Sequence, residues 1–405
     1  MRFARRTLAA TLSMFVSLAV LTVGATQAAA TTDFYDPPSP LPPGENGDVI
    51  RHEPSDFYLL LELVDAPGSA HRIMYRSTDT HGDPIAVTGT VLVPDKPWNG
   101  PGVRPIVGYA PGTRGIGDSC APSKSMASGT DYEGPFLAGL LAAGYGVVVT
   151  DYQGLGTPGM HTYVNRKAEA HALLDAVRAA QRLDVAGLPD NGPVATAGYS
   201  QGGGASAAAA ELAASYASEL DFVGAYAGAP PANLEKVANF LDGGYGVGLV
   251  GYALRSLNYA YDLNIPSLLN EEGKQFWHEI ADQCIVETIP AYAFTRSETL
   301  TKSGKSLAYY MNQQPYASAI AKQRIGEREP QAPVLVLHSR LDDLVPYGQS
   351  RTMAESWCEM GATVQFTTLL APTHVGGAIA AYPRALAWLA DRFANEQAPS
   401  NCDTL

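Results

Sequence analysis

Gly198-Tyr199-Ser200-Gln201-Gly202 constrains this chain more than any other stretch. A short apolar run, Val194 to Tyr199, leads into it, and an Ala-rich run, Gln201 to Ala217, leads out. A serine on so tight a strand-to-helix turn has its hydroxyl pushed outward, and glycines two before and two after it let neighbouring backbone pass close by. The helix then aims its free first-turn N–H groups at the place where negative charge would develop beside that hydroxyl. The pattern predicts a serine nucleophile at the edge of a parallel sheet. In a chain with 40 glycines the same five residues also arise as an ordinary turn before a packing helix. An acid, a base and an oxyanion site must therefore stand where the chemistry needs them.

The remaining pattern fits such a sheet. Arg104 to Tyr109, Gly146 to Asp151, Phe222 to Ala227 and Val334 to His338 are short apolar runs suited to strands buried on both faces. Helical periods fall between them at residues 167–183, 201–217, 348–359 and 380–395. His71 to Ser77 and Ile85 to Val93 read as an antiparallel hairpin. The expected class is α/β, a mostly parallel sheet with helices on both faces. Residues 231–315 break the alternation. They hold helical periods (Leu234 to Leu241, Gln275 to Ile280, Leu307 to Met311) and no clear strand, and read as a helical cap or lid inserted at the ligand-binding end of the sheet. The expected organisation is a signal at 1–30, an extended arm at 31–70, a core at 71–230 and 316–405, and the cap between the two core parts.

The first thirty residues carry Arg2, Arg5 and Arg6, an apolar stretch from Leu8 to Val23, and Ala28-Ala29-Ala30. That is the layout of a cleaved export signal, and no later segment is apolar enough to span a bilayer. The mature chain is expected to be secreted. A formal net charge of −13 argues against nucleic acid as a partner and is compatible with a neutral or lipid-like ester, including one at a lipid–water interface. Four cysteines in an exported chain imply two disulfides, with three pairings open. Cys120–Cys284 with Cys358–Cys402 is favoured, because the second bridge would pin the C-terminal tail to the core. Neither a metal-ligand spacing nor a cofactor motif is present.

An activated serine needs a base, and the base needs an orienting carboxylate, in the chain order Ser, Asp or Glu, His for this type of sheet. Asp342 and Asp343 follow the run Val334 to His338. Asp342 is the expected acid, and Asp343 is assigned to capping the helix that follows. His374, in Ala371-Pro372-Thr373-His374-Val375-Gly376-Gly377, follows the last strand and precedes the last helix. Of the eight histidines only His374 satisfies both order and position. His338 is expected to be structural, His171 lies within a helical period, His161 is a candidate substrate neighbour, and His52, His71, His81 and His278 have no strand-end context. One oxyanion donor is expected at the Gln201 N–H. The second should come from the Gly-rich loop Ala110 to Ser123.

Several segments together resemble the secretory lipase family, two-domain α/β-hydrolases typified by fungal lipase A with many actinobacterial relatives. They are Gly112-Thr113 with Gly117-Asp118-Ser119-Cys120-Ala121-Pro122-Ser123; Asp151-Tyr152-Gln153-Gly154-Leu155-Gly156-Thr157-Pro158-Gly159; the elbow with Gly203; and Asp342 with Val345-Pro346, then Thr373-His374. The resemblance covers most of the mature chain. It implies a Ser200, Asp342, His374 triad, oxyanion donors at the backbone N–H groups of Asp118 and Gln201, and an acyl-binding cap. An ionised Asp118 side chain would repel an oxyanion, so it should turn away or be protonated. The fungal elbow commonly has a smaller residue where Gln201 stands. The expected activity is a triacylglycerol-lipase-like carboxylic-ester hydrolysis through an acyl-enzyme. A peptidase, an acyltransferase or a polyester hydrolase on the same scaffold are the alternatives, and a non-catalytic binding protein would need a missing triad member.

Overall fold

The computed structural model describes residues 33–405, so the export signal and its cleavage site lie outside the described residues. Tyr35–Leu405 form one compact unit. Its strands are β1 (Val49–Ser55), β2 (Tyr58–Leu60), β3 (Val64–Asp65), β4 (Gly68–Thr78), β5 (Pro84–Pro94), β6 (Ile106–Ala110), β7 (Gly146–Thr150), β8 (Pro193–Tyr199), β9 (Asp221–Gly228), β10 (Val334–Ser339) and β11 (Val364–Leu369). The helices are α1 (Pro122–Ser128), α2 (Gly134–Ala143), α3 (Arg166–Gln181), α4 (Gln201–Tyr216), α5 (Leu234–Leu241), α6 (Gly248–Tyr261), α7 (Glu271–Glu279), α8 (Ile285–Tyr292), α9 (Leu307–Met311), α10 (Tyr316–Ala321), α11 (Tyr347–Met360) and α12 (His374–Phe393).

One nine-stranded sheet carries the order β1-β4-β5-β7-β6-β8-β9-β10-β11. From β7 to β11 every pairing is parallel. β1, β4 and β5 add an antiparallel flank. Part of the Pro-rich arm therefore does more than extend: Val49–Ser55 pairs with β4 as the outermost strand. The central strands are β-branched or small, Gly-Val-Val-Val-Thr in β7 for example, because helices cover both of their faces and leave no polar side. Leu173 and Val177 of α3, the Ala ladder of α4 and Trp357 of α11 pack on one face. Phe136 and Leu137 of α2, Met126 of α1 and Trp388 and Leu389 of α12 pack on the other.

Between β9 and β10 the chain forms α5 to α10 and no strand of the sheet. α10 lies beyond residue 315, so the helical stretch outlasts the boundary read from the sequence. These helices have two apolar cores of their own, one built on Leu241, Leu249, Tyr252, Phe276 and Ile280 and one on Leu257, Leu269 and Trp277. Ile116 and Tyr163, from loops beyond β6 and β7, join the first of these. A Cys120–Cys284 disulfide ties the loop after β6 to this segment, and a Cys358–Cys402 disulfide ties α11 to the C-terminal tail. Among the described residues no helix is long and apolar enough to cross a membrane.

Candidate active site

Ser200 sits between β8 and α4 with φ 60° and ψ −121°, a conformation that costs a non-glycine residue about 1–3 kcal/mol. Its N–H donates to Gly228 O at 2.9 Å and its carbonyl accepts from Gly204 N at 3.0 Å, which pins the turn from both sides. The glycines are there for backbone approach. A Cβ on Gly202 would stand 1.9 Å from Ala110 O, and one on Gly203 would stand 2.0 Å from Gly228 O. The elbow is thus wedged between the ends of β6 and β9, which holds the strained serine in place.

The expected acid and base follow two strands further along the sheet, β10 and β11. Asp342 follows β10, and His374 opens α12 after β11. Asp342 Oδ2 accepts from His374 Nδ1 at 2.7 Å, and its Oδ1 accepts the Leu344 and Val345 N–H groups at 2.9 and 2.8 Å. His338 Nε2 lies 3.3 Å from the same Oδ2. Burial alone would raise the Asp342 pKa, but the bonds from His338 and His374 outweigh it and hold the carboxyl well below its usual range. Asp342 is therefore a fixed anion that orients the imidazole. With Nδ1 carrying the proton toward Asp342, the neutral ring has its lone pair at Nε2, which is buried and, among the described residues, without a hydrogen-bond partner. The Ser200 hydroxyl is not bonded to it. The elbow and His374 are joined: Tyr199 OH donates to His374 O at 2.9 Å, and the two rings are 4.9 Å apart.

Two neighbours take roles that differ from the sequence expectation. Asp343 does not cap α11, whose N-cap is Pro346; its Oδ1 accepts the His374 backbone N–H at 2.8 Å, at the start of α12. His338 is fully buried, as a structural residue would be, yet it contacts the Asp342 carboxylate. Its position four residues before Asp342 was the one available signal. His161 is buried against Gln201 and does not line the cavity at the serine.

The loop after β6 divides into two parts. Asp118 opens a short 3-10 turn, is exposed, and accepts Gly156 N–H at 3.1 Å through its carboxylate. The part beside the elbow is Ala110 to Gly112: a Cβ on Gly112 would lie 3.4 Å from Tyr199 O. Thr113 comes next and is buried, and among the described residues its N–H donates to no group. An orphaned buried N–H is rare enough to need a reason. Glu133 braces this segment, accepting Gly112 N–H at 2.9 Å, Arg114 Nη2 at 2.9 Å, Tyr109 OH at 2.7 Å and Tyr382 OH at 3.1 Å. It thereby links the loop to α12, which carries His374.

Ser200 and Gln201 border a cavity with almost wholly apolar walls, including Leu234, Val237, Leu241, Leu249 and Val250. A second apolar cavity, with Leu263, Ile265, Phe276, Trp277 and Leu300, shares the wall residues Leu254, Leu257, Leu307, Met311 and Ile320 with the first.

A parallel sheet with a strained serine at a strand-to-helix turn, and a hydrogen-bonded Asp–His pair beyond the following strands, defines an α/β-hydrolase. The chain belongs to the secretory lipase family, whose model matches residues 120–401. It is similar to a secreted triacylglycerol lipase of Malassezia globosa, at 31% identity over 91% of this chain and 80% of that one. It is also similar to a Mycobacterium tuberculosis protein described as a probable inactive lipase, at 28% identity over 90% of this chain and 82% of that one. In three dimensions it is similar to the crystal structure of Candida antarctica lipase A in its closed state, with a TM-score of 0.78 and 25% identity, covering 89% of this chain and 85% of that one. The chain is a secreted carboxylic-ester hydrolase.

Proposed function

We propose that the chain hydrolyses lipid-like esters through an acyl-enzyme on Ser200, with His374 as general base and Asp342 as its orienting anion. The observation that carries this is the 2.7 Å Asp342–His374 bond, which leaves Nε2 as the proton acceptor on a histidine that Tyr199, the residue before Ser200, binds through its hydroxyl. Ser200 Oγ attacks the ester carbonyl carbon while its proton passes to His374 Nε2. The negative charge on the carbonyl oxygen falls to the Gln201 N–H and, in place of Asp118, to the Thr113 N–H. Collapse of the tetrahedral intermediate expels the alcohol, which takes the proton from Nε2. Water activated by the same nitrogen then releases the acid and restores the serine.

Residues 231–315 act as the cap, and the apolar cavities that the helical segment lines take the acyl chain. Their near-absence of polar wall favours a hydrocarbon over a peptide or sugar, and the Malassezia globosa relative's description as a triacylglycerol lipase agrees with that choice. A fluorophosphonate probe should label Ser200 alone, and S200A should abolish labelling and turnover. Labelling elsewhere in an active preparation would remove the assignment. Across p-nitrophenyl esters of increasing acyl length, kcat/KM should rise well beyond acetate. A preference for acetate, or for dipeptide amides, would exclude the acyl-chamber reading.

A further inference from the structure

We propose that Glu169 and His161 are positioning residues that hold the Gln201 side chain and so fix the direction of the Gln201 N–H in the oxyanion hole. The inference rests on the reading of Ser200 as nucleophile and deepens it.

Gln201 is the first residue of α4, so its side chain leaves the elbow one peptide after the serine. The side chain is buried, and its Nε2 donates to Glu169 Oε1 at 2.7 Å and toward His161 Nε2 at 3.2 Å. The proton positions follow from the partners. His161 Nδ1 lies 2.9 Å from Gln153 O, which can only accept, so Nδ1 carries the hydrogen and Nε2 has the lone pair. Both groups facing the Gln201 terminus are then acceptors, and a terminal NH2 has one hydrogen for each. Glu169 Oε1 also accepts the Val164 N–H at 2.7 Å, and Val164 lines the cavity at Ser200. One carboxyl therefore joins the elbow, the cavity wall and the first turn of α3.

Such an arrangement is a costly way to fill space. It buries a carboxyl, an amide and an imidazole, with no cation among the described residues paired to the carboxyl, and apolar side chains of the same volume would pack there at lower cost. What apolar packing would not supply is direction. Two hydrogen bonds fix the end of a side chain whose own backbone N–H must point at the developing oxyanion within about 10–20°. Ser200 stores backbone strain on the other side of that same peptide, and the tether opposes its relaxation.

The test uses the full-length enzyme. The fraction of working sites is counted by fluorophosphonate titration. kcat and KM on a p-nitrophenyl ester, and Ki for an alkylboronic acid whose tetrahedral adduct needs the oxyanion hole, are then measured for H161F, E169L and E169Q. H161F keeps a ring stacked on Tyr152, 5.9 Å away, but loses the acceptor. E169L loses the carboxyl acceptor, and E169Q keeps an oxygen that can accept both N–H groups. H161F and E169L should lower kcat per titrated site by about tenfold or more, below the full loss of a donor, with KM within about twofold. The boronate Ki should rise by the same factor, and E169Q should restore both. Unchanged kcat and Ki per site in H161F would overturn the proposal even if its melting temperature fell, and H161F answers the question if E169L does not fold. A wild-type enzyme that is active yet unlabelled at Ser200 would instead remove the nucleophile assignment, a separate failure.

Discussion

Oδ1 of Asp343 accepts the backbone N–H of His374 at 2.8 Å. The adjacent Asp342 takes the imidazole of that histidine at 2.7 Å, so two consecutive carboxylates grip one residue, one by its main chain and one by its ring. They should separate on mutation. D342N leaves the shape but favours the wrong tautomer, and kcat should fall by about 10³–10⁴-fold. D343A removes the anchor at the start of α12 and a hydrogen bond with Tyr245, and should cost about tenfold in kcat and about 1 kcal/mol of stability. Steady-state kinetics and urea titration of both variants check this. The opposite ranking in kcat would make Asp343 the orienting acid.

Glu169 gives a pH dependence of stability. Burial raises its pKa to about 8, more than the bonds from Gln201 and Val164 lower it. Tyr152, Tyr163 and His161 surround it, and burial lowers His161 to about 4, so that ring stays neutral across the range tested. The folded pKa lies above the unfolded one. The contribution is therefore fully present below the unfolded value and is lost as pH rises through about 8. E169Q does not titrate. Its urea midpoint relative to wild type should climb between pH 5 and pH 8.5, and a constant difference would show that Glu169 is not raised.

Much of this site was legible because its parts obey local rules. Ser200 announces itself through a strand, a turn and a helix contiguous in the chain. His374 stands out by chain order together with its position between the last strand and the last helix. Asp343 was harder: its partner lies 31 residues away, across β11, and no local propensity records a carboxylate accepting a distant N–H. Glu169 carries no signal of its own in the sequence, since its distinguishing contacts are to Gln201 and Val164. Val49–Ser55 was hidden by the Pro- and Gly-rich residues before it, and only the free edge of β4 makes it a strand. In the loop after β6, the glycines and the cysteine marked the segment, but which N–H faces the serine depends on how the loop bends.

Gly202 should resist enlargement. Its Cβ would stand 1.9 Å from Ala110 O, a backbone atom that cannot rotate aside. G202A should destabilise by about 1–3 kcal/mol or more through overpacking, and should lower kcat because the shift displaces the Gly112–Thr113 segment. Thermal melting and kinetics together test this. An unchanged melting temperature would show that β6 moves freely against the elbow.

The two disulfides should separate stability from turnover. Cys358–Cys402 closes the tail on α11, distant in the chain from the loop after β6, and C358A/C402A should cost about 2–4 kcal/mol with kcat little changed. Cys120–Cys284 joins the loop that follows Thr113 to the helical segment, so C120A/C284A should lower both. Equal effects on kcat would argue that the loop is held by Glu133 alone.

The sharpest test of the oxyanion assignment is a proline at residue 118. If Asp118 supplied a donor N–H, removing it should cost about 10²–10³-fold in kcat. The local backbone accepts the change: Asp118 is the first residue of its 3-10 turn, and Gly117 before it is extended at φ −78° and ψ 146°, as a residue before proline should be. The side-chain bond to Gly156 is lost as well, so D118A serves as the control for that loss alone. With Thr113 as the donor, D118P and D118A should match each other in kcat and stay within about threefold of wild type, a difference under about 1 kcal/mol. A hundredfold drop confined to D118P would return the role to Asp118 and require the loop to swing its 3-10 turn onto the serine when substrate binds.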